Sequence, residues 1–314
     1  MSLGPVVTVG EALASLEPVS GRLEVASQLS LGALGAEYNY AIDLTRLGIE
    51  TQFFGAVGAD PLGRHVVRAA RAEGVDVSGV VVDPARPTGI LFKDAPGMDG
   101  ERPIHYVRAG SAASAFGATD ALMAAAAGAA GVHVSGISLC LSPALREAAL
   151  ALLRRGAAAR WRSFDLNVRL RLAPSEEWAA ALDAALPYVS AIFATDGELD
   201  LAGLDAGEVM DRARDAGVAC VVRAGREETL ILTEDGSEER VEPTYSISPI
   251  DPVGTGDAFA AAVTAFRLRG APWPEAVHAG HIAGAMVASV RGDFEGAPHL
   301  EELQAWVEGR HVNR

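Results

Sequence analysis

Lysine is almost missing from this sequence: among 314 residues, Lys93 is the only one. A phosphate loop of the form Gly-x-x-x-x-Gly-Lys is therefore excluded, because Lys93 sits in Leu-Phe-Lys-Asp; any nucleotide must be held without such a lysine. Cysteine is nearly as scarce. Cys140 and Cys220 lie far apart, each among apolar neighbours, which points to two reduced, buried thiols and away from a disulfide or a cysteine-built metal site. Positive charge is short overall. The formal net charge of −15 is the wrong sign for a phosphate backbone and argues against a nucleic-acid partner. It does not exclude a single nucleotide, which needs a few local donors and a divalent cation. No run of eighteen apolar residues is free of charge or punctuation, so no membrane span is expected. The N-terminus shows no basic segment followed by an apolar core, so no secretory signal is expected and the cytoplasm is the expected compartment.

What remains is the composition of a globular chain with a substantial core, 49% hydrophobic and 21% charged. Short apolar runs at Val6–Val9, 52–57, Gly131–Ser135, 162–165, 191–194 and 220–223 read as strands. Helical stretches at 36–47, 62–73, Pro143–Arg155, 175–186 and Ala206–Ala216 separate them, with Gly48, Gly74 and Gly217 at the expected C-caps. This alternation predicts an α/β fold with a mostly parallel central sheet covered by helices. Two stretches break the rhythm. Segments 12–31 and 87–110 alternate without a helical pattern and contain the turns 17–21 and 95–100, so each reads as a β-hairpin. They predict a small β-sheet lid inserted in one domain spanning 1–314; the alternative is a pair of edge extensions on the main sheet. Strands near 229–233 and 239–243 and helices at 258–269, 274–290 and Leu300–Val307 complete the chain.

The segment Asp251-Pro-Val-Gly-Thr-Gly-Asp257 places two glycines before a helix. Gly254 and Gly256 let backbone approach a ligand, and the N–H groups at the helix start form an anion site. A carboxylate beside that site would repel phosphate. It makes sense as a base that takes a proton from an attacking hydroxyl while backbone N–H groups stabilise the transferring phosphoryl. Alone, the segment is equally compatible with an aspartate that caps a helix after a tight turn.

With its Ala-Phe continuation, this segment resembles the C-terminal signature of the PfkB/ribokinase family of carbohydrate kinases, with Thr255 in place of the usual alanine. Gly32-Ala-Leu-Gly-Ala-Glu-Tyr-Asn39 with its following Leu-Gly is similar to that family's N-terminal motif, Ala36 replacing a glycine. Val57-Gly-Ala-Asp60-Pro-Leu-Gly63 matches a third motif. The resemblance spans nearly the whole chain. It implies a ribokinase-like three-layer fold, with Asp257 as base and Gly254, Thr255 and Gly256 as the anion hole. Gly35 and Asn39 then fall on the sugar side. Asp251 lies where several relatives hold a monovalent cation, which adds potassium to ATP and Mg²⁺ as an implied ligand.

On the nucleotide side, Thr195-Asp-Gly-Glu198 is similar to an Asn-x-x-Glu motif that organises Mg²⁺ through water, which assigns Glu198 to the metal and Thr195 to the nucleotide. The same four residues also form a capping box. Arg223 and Gly225 match the strand and loop over the phosphates, with Glu228 at a second glycine position, and His281 falls near the implied adenine pocket. Tyr106-Val-Arg108 and Phe164-Asp-Leu-Asn-Val-Arg169 look like the sugar-binding segments of 2-keto-3-deoxygluconate kinases. Here Leu91 and Phe92 lie where those relatives often carry a tyrosine, and Leu166 replaces a proline. The physical logic agrees, since a sugar acid needs guanidinium donors for its carboxylate. Tyr106, Arg108 and Arg169 are therefore expected to bind the acid. Other sugar kinases of the family, of ribokinase, fructokinase or deoxygluconokinase type, and a non-catalytic sugar or nucleotide sensor are the alternatives. No Gly-x-Gly-x-x-Gly follows the first strand, which weighs against a dehydrogenase. Exposed lid strands commonly pair, so a homodimer through the lid is expected.

Overall fold

The computed structural model describes residues 4–98, 102–224, 228–243 and 247–310. Its strands are β1 (Val6–Val9), β2 (Leu13–Pro18), β3 (Leu29–Leu34), β4 (Thr51–Gly58), β5 (Val80–Asp83), β6 (Ile90–Lys93) and β7 (Ile104–Val107). They continue with β8 (Gly131–Ser135), β9 (Trp161–Asp165), β10 (Ala191–Thr195), β11 (Ala219–Ala224), β12 (Glu228–Leu232) and β13 (Glu238–Val241). Nine of them form one sheet in the order β13-β12-β11-β10-β9-β8-β1-β4-β5. Neighbours are parallel from β11 through β5, while β12 and β13 add antiparallel pairs.

The period-2 alternation of side chains sorts each central strand between two cores. Val7, Val9, Val134, Ile192 and Val222 pack with Leu145, Leu152, Trp178 and Leu182 on one face. Val6, Ala191, Phe193 and Val221 pack with Phe259, Val263 and Val277 on the other. Both faces are thus covered, which is why these strands read as almost unbroken apolar runs.

The hairpins at 13–34 and 90–107 form a separate four-stranded sheet, ordered β3-β2-β6-β7 and joined by parallel pairing of β2 with β6. Leu13, Leu34 and Leu91 cluster on one of its faces with Ile104 and Tyr106. The third family-like motif fastens the root of this sheet. Asp60 caps the helix Pro61–Ala72 by accepting from the Gly63 N–H, and it also accepts from the Thr88 N–H at 2.8 Å and the Thr88 hydroxyl at 2.9 Å.

Two elements differ from expectation. β5 lacks a pattern because it lies on the sheet edge with Val81 and Val82 exposed. The helix expected from residue 258 begins earlier, at Thr255, and runs to Leu268, so Asp257 lies inside its first turn.

Candidate active site

A cleft of about 780 Å³ opens between the small sheet and the C-terminal ends of the central strands. It is lined by Gly35, Asn39, Tyr106, Arg108, Arg169, Glu198, Arg223 and residues 254–257. Segments more than two hundred residues apart in sequence are brought together here. Thr195, Asp251 and His281 do not line it, and Gly225 lies outside the described residues.

The glycine turn depends on its backbone. Gly254 has φ +83° and forms the N-cap, and a Cβ there would fall 1.9 Å from the Asp293 carbonyl oxygen. Only glycine fits both the conformation and the space. Beyond it the first-turn N–H groups point along the helix axis with the positive end of the helix dipole. The Arg223 guanidinium lies over the Phe259 ring, 4.8 Å from its centroid. A Cβ on Gly256 would be 3.2 Å from the Arg223 Nη2, so this cation stands beside the turn. The end of the cleft thereby collects donors for an anion.

Asp257 is buried and reached from two other segments. The Asn39 amide donates to its Oδ2 at 2.8 Å, and the Asn167 amide lies 3.4 Å from its Oδ1. Asn39 is itself held by the helix start, since its own N–H donates to the Gly35 carbonyl at 2.7 Å and its Oδ1 accepts from the Gly35 N–H. Burial holds the Asp257 carboxyl well above the ordinary carboxylate range; the Asn39 hydrogen bond opposes this and the neighbouring Asp165 carboxylate adds to it. Burial, then the Glu198 carboxylate, push Asp165 up to about 7. Asp165 can thus exchange a proton near neutral pH, while Asp257 is held above the ordinary carboxylate range by its own burial.

The two expected acid-binding arginines differ. Arg108 is mostly buried, stacks on Tyr106 with its guanidinium 4.9 Å from the ring centroid, and places its Nε 2.9 Å from Glu11 Oε2. Its charge is therefore already answered by a buried carboxylate. Arg169 is 42% exposed, with Glu198 at 3.8 Å. Glu198 forms both halves of a capping box with Thr195, whose N–H and hydroxyl donate to its Oε2. The other oxygen is left toward Arg169 and the cleft. Asp251, which the resemblance offers to a monovalent cation, is fully buried and faces the Lys93 ammonium at 3.1 Å. His281 contacts the Thr229 hydroxyl at 2.8 Å, and burial with nearby Arg223 pushes it down to about 4.

Four residues of the site escaped the sequence reading. Asp165 and Asn167 belong to the Phe164–Arg169 motif, yet only its arginine was assigned. Asn167 has φ +45°, the only non-glycine with positive φ among the described residues, a conformation that asparagine tolerates better than most. Glu11 and Lys93 carry no local signal at all.

The sequence profile described as pfkB family carbohydrate kinase matches residues 5–300. The chain is 34% identical over 309 residues to a 2-dehydro-3-deoxygluconokinase of Thermoproteus tenax, covering 95% of this chain and 93% of that one. A crystal structure of a PfkB protein from Polaromonas superposes with a TM-score of 0.83, at 34% identity, over 96% of this chain and 99% of its own. The structure of a Ribokinase II from E. coli in complex with ATP and Mg²⁺ superposes with a TM-score of 0.87, at 25% identity, over 98% of this chain and 100% of its own.

Proposed function

This chain belongs to the pfkB family of carbohydrate kinases, a phosphotransferase acting on a sugar, and from that premise we propose that it transfers the γ-phosphoryl group of ATP to a hydroxyl of a sugar acid, 2-keto-3-deoxygluconate. The observation that carries the reading is the pairing of a buried carboxylate, Asp257, with the glycine turn at the N-terminus of its own helix. Asp257 takes the hydroxyl proton, and the sugar oxygen attacks the γ-phosphorus as the bond to ADP breaks. Backbone N–H groups of 254–256 and the Arg223 guanidinium receive the charge that develops on the transferring phosphoryl.

The donor set at Glu198 is hard oxygen, of the kind Mg²⁺ accepts through its own waters, with Asp165 nearby. Bound there, Mg²⁺ offsets the charge of the nucleotide phosphates. Thr195 holds Glu198 in place, and His281, neutral at pH 7, sits behind the nucleotide end. A potassium requirement finds less support, because Asp251 already faces an ammonium.

Arg169, partly exposed and turned to the cleft, is the main partner for the substrate carboxylate, with Arg108 and Tyr106 completing that end. The small sheet acts as a lid on the single domain, excluding water from the transfer. On its outer strand Leu29 and Leu31 are exposed, which supports a homodimer through the lid. The two unbridged cysteines agree with a cytoplasmic setting; no described helix is long and apolar enough to cross a membrane. The test is kcat/KM across a panel of sugar acids and neutral ketoses. The reading requires 2-keto-3-deoxygluconate to be the better substrate; faster phosphorylation of fructose or ribose would overturn it.

A further inference from the structure

The sole lysine of the chain is one of its largest fully buried side chains. It stands at the end of β6, in the small sheet, yet its ammonium lies between two aspartates of the main body. One is Asp251 at 3.1 Å and the other Asp293, which it also contacts. Burial alone would pull the lysine pKa down; Asp293 and Asp251 more than reverse this, so the ammonium stays charged.

Both aspartates lead to the same place. Asp251 accepts from the Val253 N–H at 3.2 Å, bracing the residue before Gly254. The Asp293 backbone is packed against Gly254 so closely that its carbonyl oxygen leaves no room for a Cβ. A second lid cation, Arg102, reaches Asp251 at 3.7 Å.

We propose that Lys93 is a positioning residue for phosphoryl transfer, a fixed internal cation that ties the lid sheet to the glycine turn carrying Asp257. The proposal deepens the kinase reading and rests on it. Two arms from one ammonium close on Gly254, whose φ of +83° must be held for the following N–H groups to converge. Without the cation, two neighbouring buried carboxylates keep only the more distant Arg102, 3.7 Å from Asp251, as a counter-charge. They repel, and the turn relaxes away from the geometry in which its donors converge.

Lys93→Met, Lys93→Arg and Lys93→Gly, with the double variant Lys93→Met/Asp293→Asn, test this in the full-length protein. Lys93→Met is expected to lower kcat about 10²-fold, the scale of a small misplacement of reacting groups, with KM for ATP little changed; Lys93→Arg restores much of it. Methylammonium should rescue Lys93→Gly saturably, whereas tetramethylammonium at the same ionic strength, which has no N–H, should not. The double variant removes the unbalanced charge, so its Tm should recover while kcat stays low. A double variant with native kcat, or a Lys93→Met protein with native kcat, would overturn the proposal. Amide hydrogen exchange provides an arm that needs no substrate. Lys93→Met should speed exchange in 251–257 together with β6, and acceleration confined to β6 overturns the proposal even if the native protein phosphorylates no sugar. Failure of the native protein to phosphorylate any sugar would sink the kinase reading instead, and so the two failures are distinguishable.

Discussion

At the base end of the cleft the carboxylate and the cation behind it are buried and met by residues of distant segments, whereas at the rim the pairing is looser and its arginine stands partly in solvent. Asp257 is held by Asn39 and approached by Asn167, and Lys93 lies between Asp251 and Asp293. Glu198 and Arg169, by contrast, face each other at 3.8 Å with the arginine 42% exposed. The difference suits the chemistry. Where charge develops in the transition state, dipoles must be oriented beforehand, and burial is what makes them effective. Where substrates enter and leave, an exposed side chain that can shift costs little and pairs weakly until a ligand arrives.

Substitutions can break this contrast, beginning with the base end. Gly254→Ala puts a methyl group onto the Asp293 carbonyl and forces a residue into φ +83°. Phosphoryl transfer should fall by about 10²-fold or more, the scale for losing one anion-hole donor, and a steady-state assay at saturating ATP measures it. The arginines then separate the two regimes. Arg169→Ala should raise KM for the sugar acid about 10- to 100-fold, as for one lost hydrogen bond to a charged group, with KM for neutral sugars and Tm nearly unchanged. Arg108→Ala should do this and also destabilise the fold by about 3–5 kcal/mol, because buried Glu11 loses its cation. Denaturant unfolding distinguishes the two.

A smaller effect sharpens the assignment of Asp257. Its carboxyl must be ionised to accept a proton, and burial raises its pKa. Activity is therefore expected to fall with decreasing pH through a value above the ordinary carboxylate range. Asn39 opposes that rise, so Asn39→Ala should move the acid limb of kcat/KM to higher pH; an unmoved limb would detach Asn39 from the base. Smallest is Thr195→Ala, which removes half of a capping box at the rim. It should cost about 1 kcal/mol, a few degrees in Tm, with modest change in KM for ATP.

Much of the fold was legible because its signals are local. β1, β8 and the helix Pro143–Arg155 lie where the alternation of apolar runs and helical stretches places them. The edge strand β5 was not legible, since a half-exposed run of valines has no face to mark. The site divides in the same way. Asp257 and its glycines are contiguous, so one segment carried them. Asn167 acts on a residue 90 positions away, and Lys93 on partners 158 and 200 positions away. No window of sequence reports such contacts. Arg108 was legible as a cation in a motif, but the buried Glu11 that neutralises it emerges only when the small sheet is folded over the first strand.

The central claim is that Asp257 is the base, and one measurement tests it most directly. Asp257→Asn keeps the size and hydrogen-bonding shape of the side chain while removing its ability to take a proton. ATP binding by calorimetry and single-turnover transfer to 2-keto-3-deoxygluconate are measured on the same protein. The expected result is native ATP affinity with transfer slowed by about 10²- to 10⁴-fold, the range for general-base catalysis. Transfer at the native rate would contradict the account.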